Sequence, residues 1–286
     1  VRIEHDLTVT GVSQDPDMVI VNGQDLGQVF EIEDVDDVTI EYLTARNGDD
    51  DVIDIEDAGK VLINQVKVFF ADEDGIDAHF TDELIVRDSL IQYMGDDGIS
   101  LFNVGYVTIE NTVIEDGNGT GIVFKSGALL DIDGLTIKNF ADHGIQTEGV
   151  QTADVFDANI SKMGNSGLEL WYGESVILQQ VIIDDVYDWG VDIYDQLSAT
   201  LIDVTVTKAG NDGIWIDFVD EVTLTRVTSQ FNDVDGIYLT GIGDIALLDV
   251  NSSYNKAIGL NIELAESLAD TNGIYTENED SGISVV

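Results

Sequence analysis

Eight carboxylates fall in three short clusters: Asp49, Asp50 and Asp51, then Asp72, Glu73 and Asp74, then Asp96 and Asp97. Corresponding members lie 23 residues apart. If the chain stacks at that interval, neighbouring clusters stand one strand spacing apart, about 4.8 Å, where two unit charges repel by roughly 0.9 kcal/mol even in water. A bound cation removes that repulsion. Calcium accepts about 6–8 oxygens in a flexible geometry, whereas magnesium holds to a stricter octahedron. The clusters therefore suit Ca2+, and a solvated acidic edge is the alternative. The calcium-binding nonapeptide GGxGxDxUx is absent.

A second set of chemistry-bearing residues recurs at the same interval. Asp77, His79, Lys125, Glu148, Glu169, Asp192 and Asp217 alternate with the aromatic residues Trp171, Tyr194, Trp215 and Tyr238. Flat rings stack on the apolar faces of pyranoses while carboxylates accept hydroxyl hydrogen bonds, so this set suits a carbohydrate strip. The plainer reading is an outer ladder of aromatics, which strands favour in any case. Carboxyl pairs about 5–5.5 Å apart serve retaining glycosidases, and wider pairs inverting ones. Lyase or epimerase chemistry beside a uronate carboxylate needs a cation to quench the substrate's charge. His79, Arg87 and Lys125 are the basic groups near this set, scattered over three repeats and diluted by acids.

What must position both sets is the repeat. From Gly75, steps of 23 land on Gly98, Gly121, Gly144, Gly167, Gly190, Gly213, Gly236, Gly259 and Gly282, each followed by Ile, Leu or Val. Backward steps reach Val52 and Val29, where the apolar pattern continues. With the glycine as slot 1, apolar residues occupy slots 2 and 4, 10 and 12, and near 15 and 17. Spacing by two is strand spacing, so each unit holds three short strands separated by bends. One such coil cannot bury its own apolar face; stacked coils turn each slot into a column of core. Slots 2 and 4 point inward, which sends slots 3 and 5, and the second set of residues with them, outward. Slot 14 is polar or turn-prone (Asp88, Asn111, Gly134, Asp157, Asp203, Asp249, Asn272), as a left-handed bend requires. The slot-1 glycine either enters such a bend or lets a neighbouring backbone approach.

These phrases, of the form "DGIxL … VxIxN … I", resemble the pectin-lyase-like right-handed parallel β-helix superfamily. The resemblance covers residues 29–286 and implies an all-β solenoid of about twelve coils. Residues 1–28, with "LTVTG" and "IVNG", look like the irregular opening coils of such proteins. It implies little about activity, because the superfamily hosts lyases, hydrolases, epimerases, tailspikes and adhesins. Against the polygalacturonase pattern, Asp74, Asp96 and Asp97 match, but "NGTGI" stands where the histidine belongs. His143 comes one coil late, and the Arg-x-Lys motif has no counterpart.

The chain has 57 acidic and 11 basic residues in 286, a net charge of −46, and no cysteine. Nucleic acid is excluded as a partner because no basic stripe exists to displace counterions. Anionic membranes are disfavoured by the same sign, and no apolar run reaches the length of a spanning helix. Such acidity suits an exported protein of a marine or high-salt prokaryote. The unbroken composition points to one domain over residues 1–286, read as a segment of a longer exported protein. No amphipathic helix covers either terminal coil, which leaves flanking domains or head-to-tail self-association to do so. A strict period leaves no surplus chain for the loops that wall a reaction cleft. The sequence therefore reads as a non-catalytic extracellular solenoid, structural or adhesive, binding Ca2+ and polysaccharide. A polysaccharide-active enzyme and a filament subunit are the alternatives.

Overall fold

A computed structural model describes residues 1–24 and 26–286. The chain forms two compact units, Val1–Asp142 and His143–Val286. Both are parallel β-solenoids built on the 23-residue turn, with about twelve turns in the chain. Among the described residues helix is confined to one 3-10 turn, Pro16–Met18, and no helix is long and apolar enough to cross a membrane.

In the first unit a representative turn consists of Ile76–His79, Glu83–Arg87 and Leu90–Met94. Each strand pairs in parallel with its equivalent 23 residues away. Ile53, Ile76, Ile99 and Ile122 align along the first strand, and Lys60, Glu83, Tyr106 and Leu129 along the second. Some turns run through their corners as one bent strand, as in Phe30–Gly48 and Ile53–Ala71. The opening turn is looser: Arg2 pairs with Glu31, Leu7 with Val38 and Ile20 with Thr44, offsets of 29, 31 and 24 residues. The second unit keeps the same register, with Ile145, Leu168, Val191, Ile214, Ile237, Leu260 and Ile283 aligned.

The inward columns are dry. Ile53, Ile76, Ile99 and Ile122, like Ile40, Ile63, Val86 and Ile109, have no exposed surface. Each such side chain contributes about 2 kcal/mol on leaving water. Buried residues at slot 20 (Ala71, Met94, Phe140, Met163, Val186) form a further column that the sequence reading did not include.

The corners differ from expectation in two ways. Slot 14 is left-handed as expected, but so are slots 6 and 19, giving three left-handed residues per turn, for example Phe80, Asp88 and Tyr93 (φ 51°, 49° and 68°). The slot-1 glycines carry no positive φ. Their role is close approach: a Cβ on Gly75 would lie 2.6 Å from the Gly98 carbonyl oxygen and 2.6 Å from Ile91 Cγ2.

Candidate functional site

The acidic clusters of the first unit lie at the corner between third and first strands, and they divide by depth. Asp49, Asp72, Glu73 and Asp96 are exposed, while Asp51 is buried and Asp74 and Asp97 are half-buried. The deeper three form a ladder. Asp51 Oδ1 accepts from the Asp74 backbone N–H (3.0 Å), Asp74 Oδ1 from that of Asp97 (2.7 Å), and Asp97 Oδ1 from that of Thr120 (2.6 Å). Burial dominates their titration, pushing Asp51 up to about 7, Asp74 to about 8 and Asp97 to about 6, against the opposing pull of those N–H groups. Asp74 and Asp97, two of the acids that match a hydrolase pattern, are thus committed to joining successive turns.

Around Asp51 the carboxylates converge. Oxygens of Asp50, Asp51 and Glu73 lie within 4.8 Å of one another, as do those of Asp51, Asp54 and Asp77. Two oxygens each about 2.4 Å from one Ca2+ can be at most about 4.8 Å apart, so both triads have the dimensions of half a calcium shell. Asp54 and Asp77 come from the first strand, where Asp77 Oδ2 meets His79 Nε2 at 3.0 Å. Asp77 Oδ1 is buried with no hydrogen-bond partner. Burial, reinforced by Asp77, pushes Asp54 up to about 6. Asp49, Asp72, Asp74, Asp96 and Asp97 join neither triad. The corner that the sequence spread over eight acids is centred on three of them plus Asp54 and Asp77.

His79 is flanked by Phe102, with ring centroids 5.8 Å apart, and by Phe80 at 6.2 Å. Lys125 is exposed and pairs in register with Phe102. An open groove of about 400 Å³ runs past Asp34, Asp36, Asp57 and Asp82, with Val35, Ala58 and Phe80 between them.

The second unit holds the other concentration of chemistry, on the outward face of its first strands. Glu169, Asp192, Trp215 and Tyr238 align in one row, and Glu148, Trp171, Tyr194, Asp217 and Thr240 in the next. Trp171, Tyr172, Asp192, Tyr194 and Trp215 line a partly open cavity of about 210 Å³. Tyr172 and Tyr194 meet edge to face at 5.4 Å, and Trp171 lies 6.3 Å from both. The floor is Asp192, 2 % exposed, whose Oδ2 accepts from Trp171 Nε1 at 3.0 Å. Burial pushes Asp192 up to about 7, opposed by that indole N–H and reinforced by Glu169, Asp188 and Asp217. Trp215 Nε1 is buried without an acceptor. Beside Asp192, Glu169 is buried, accepts from Gln146 Nε2 at 2.6 Å, and lies 3.7 Å from His143 Nε2.

Three of the four aromatics expected to bind sugar therefore share one cavity. Tyr238 does not line it; its hydroxyl donates to Glu263 at 3.1 Å. Glu148 is exposed beside the register position of Trp171. Two participants were missed. Tyr172 occupies the left-handed slot 6 (φ 60°), and Trp189, one residue before Gly190, packs on Trp215 at 4.8 Å. Trp189 was legible only as an indole next to a corner glycine.

The family described as "Right handed beta helix region" matches residues 28–183. No curated protein sequence matches the chain. Among solved structures, the A-module of a mannuronan C-5 epimerase from Azotobacter vinelandii is similar, at a TM-score of 0.54 and 12 % identity. The match covers 98 % of this chain and 89 % of that one.

Proposed function

The chain belongs to the right-handed β-helix family, and on that premise we propose that it is a non-catalytic, exported solenoid, structural or adhesive, that holds a polysaccharide on the first-strand face of its second unit. The observation that carries this reading is the cavity of Trp171, Tyr172, Tyr194 and Trp215 over the Asp192 carboxylate. Rings supply apolar platforms for pyranose faces, and the carboxylate and the unpartnered indole N–H supply directed polar contacts. The same fold in an enzyme that acts on mannuronan supports a glycan as the class of ligand. Calcium is the second ligand of this reading, held by Asp50, Asp51 and Glu73 with Asp54 and Asp77 beside them. Its role there is to neutralise a corner in which Asp51 and Asp54 otherwise hold their protons to higher pH than a free carboxyl.

Titrating the full chain with a panel of neutral, uronic and amino-sugar oligosaccharides, read by tryptophan fluorescence, tests the glycan. Binding lost in Trp171→Ala is the expected result, and no binding across the panel refutes the proposal.

Asp192 favours one further reading. A buried carboxyl that holds its proton near neutrality, in register with Glu169, has the protonation state of a general acid in glycoside cleavage or transfer. Product release from the same panel, abolished in Asp192→Asn, would establish an enzyme in place of an adhesin.

A further inference from the structure

The second unit's cavity has one electrostatic preference. Ring faces carry negative potential, and Trp171, Tyr172, Tyr194 and Trp215 surround a carboxylate that is 2 % exposed. Glu169 precedes Asp192 in its row, and Asp217 is aligned with Tyr194 in the next. No Lys or Arg answers them on this face. The unit's four Lys and Arg side chains, Lys162, Lys208, Arg226 and Lys256, all lie outside slots 2–5 of its turns. Lys208, Arg226 and Lys256 are engaged by Asp184, Asp203 and Asp233. His143 lies against Glu169, whose other oxygen takes Gln146.

A uronate would meet Asp192 in the cavity, with Glu169 and Asp217 at neighbouring register positions. A neutral sugar would use the rings and leave Asp192, which burial keeps partly protonated near neutrality, without a cation to favour its ionised form. An ammonium group is attracted by both rings and carboxylate, most strongly where water is excluded. The unpartnered Trp215 Nε1 adds a second requirement, since a buried donor without an acceptor is a standing loss that a ligand oxygen would repair. A simple alkylammonium offers no such oxygen, whereas an amino sugar carries both groups on one ring.

We infer that this cavity recognises an amino sugar of a glycan, its ammonium lying over the aromatic faces against Asp192 and one of its oxygens accepting from Trp215 Nε1. The inference rests on the glycan-binding reading of this face and narrows it to cationic sugars.

The test compares a glucosamine trisaccharide with its N-acetylated counterpart, a glucose trisaccharide and choline, on the full chain at neutral pH. Since a chain of net charge −46 attracts any cation, each titration is run at low salt and at about 0.5 M salt, which screens exposed charges more than buried ones. The amine is expected to bind at least about tenfold more tightly than the acetylated sugar, and to keep that margin in high salt. Asp192→Asn should erase the margin. Asp233→Asn, on a carboxylate paired elsewhere with Lys256, should leave it intact. Trp215→Phe, which keeps a ring but removes the N–H, should weaken the amine and the neutral sugars alike.

Equal binding of the amine and acetylated sugars overturns the cationic assignment and leaves glycan binding standing. Binding of neither removes both. A margin that vanishes in high salt, or survives Asp192→Asn, assigns the attraction to general surface charge and overturns the inference. Choline binding as tightly as the trisaccharide overturns the sugar.

Discussion

The Asp74→Asn substitution probes the buried acidic ladder directly. Asparagine keeps the oxygen that accepts from the Asp97 N–H at 2.7 Å and removes the titrating charge. Burial is the largest cause of the upward shift of Asp74, to about 8, with Asp97, Asp51 and Asp77 adding to it. In the unfolded chain an aspartate titrates near 4. A folded value above the unfolded one means that the folded state binds the proton more tightly. The stabilisation is therefore complete below about pH 4 and is lost as pH rises through about 8. Each pH unit between those values is worth about 1.4 kcal/mol, so the upper limit is about 6 kcal/mol. Because the side chain is only half-buried, solvent screening reduces this to about 1–3 kcal/mol. Asp74→Asn should thus melt near wild type at pH 4–5 and, in chelator at pH 8–9, higher by about 2–8 °C. Thermal melts across that range at constant ionic strength read the difference. A variant that loses stability at high pH, or that shifts equally at every pH, would show that the carboxylate is ionised in the fold and refute the reasoning.

Calcium should act in the opposite direction along the pH axis. Because Asp51 and Asp54 hold protons up to about 7 and 6, millimolar Ca2+ should raise the melting temperature more at pH 8 than at pH 5.5. Asp51→Asn or Glu73→Gln should abolish the increment, and melting unchanged by chelator at pH 8 would remove the metal. Gly75→Ala should destabilise by about 2–4 kcal/mol, because its Cβ meets a carbonyl oxygen and Ile91. Gly149→Ala has nothing within 4 Å and only φ +69° to strain, so about 1–2 kcal/mol is expected; urea midpoints that reverse this order would contradict the packing account. Asn255 is 1 % exposed and takes both the backbone N–H (3.1 Å) and Nδ2 (2.9 Å) of Asn232 on its Oδ1. Asn255→Ala should cost about 2–4 kcal/mol in the same assay.

The stacking of turns was written in the sequence because most inward slots keep apolar residues from turn to turn, with Ser229 and Ser252 at slot 17 as buried polar exceptions. A polar residue at Ile76 or Ile99 would break a dry column, so those positions repeat visibly. The outward corners obey a weaker constraint. Slots 6 and 19 are left-handed throughout; beside Asp34, Asn103 and Gly241, or Asn47 and Asp116, they also hold Phe80, Tyr172 and Phe218, or Phe70, Tyr93 and Lys162, which are not turn-forming types. A left-handed residue costs roughly 1–2 kcal/mol, which the flanking ladders of parallel hydrogen bonds offset. Their side chains also stack between turns, as in Phe70–Tyr93 at 5.0 Å and Phe231–Tyr254 at 5.3 Å. Local propensity was overridden at those aromatic and lysine positions, whereas slot 14 and the Asp, Asn and Gly residues of slot 6 carried a turn signal, the second of which went unread.

The acidic corner misled in a related way. Carboxylates read as surface charge, but Asp51, Asp74 and Asp97 turn inward because the next turn's N–H requires an acceptor there. The signal existed: Asp stands immediately before the slot-1 residue at 51, 74 and 97, and again at 212 and 235, where Asp212 Oδ1 accepts from the Asp235 N–H at 2.8 Å. Where that slot holds Trp189 instead, the indole packs on Trp215, and Trp215 walls the aromatic cavity. The slot that joins turns in one place thus supports a binding wall in another. In a solenoid with no spare loops, a site arises by changing which side chains occupy slots 3, 5, 6 and 23 on neighbouring turns. The cavity around Asp192 is the place in the second unit where all four changed together.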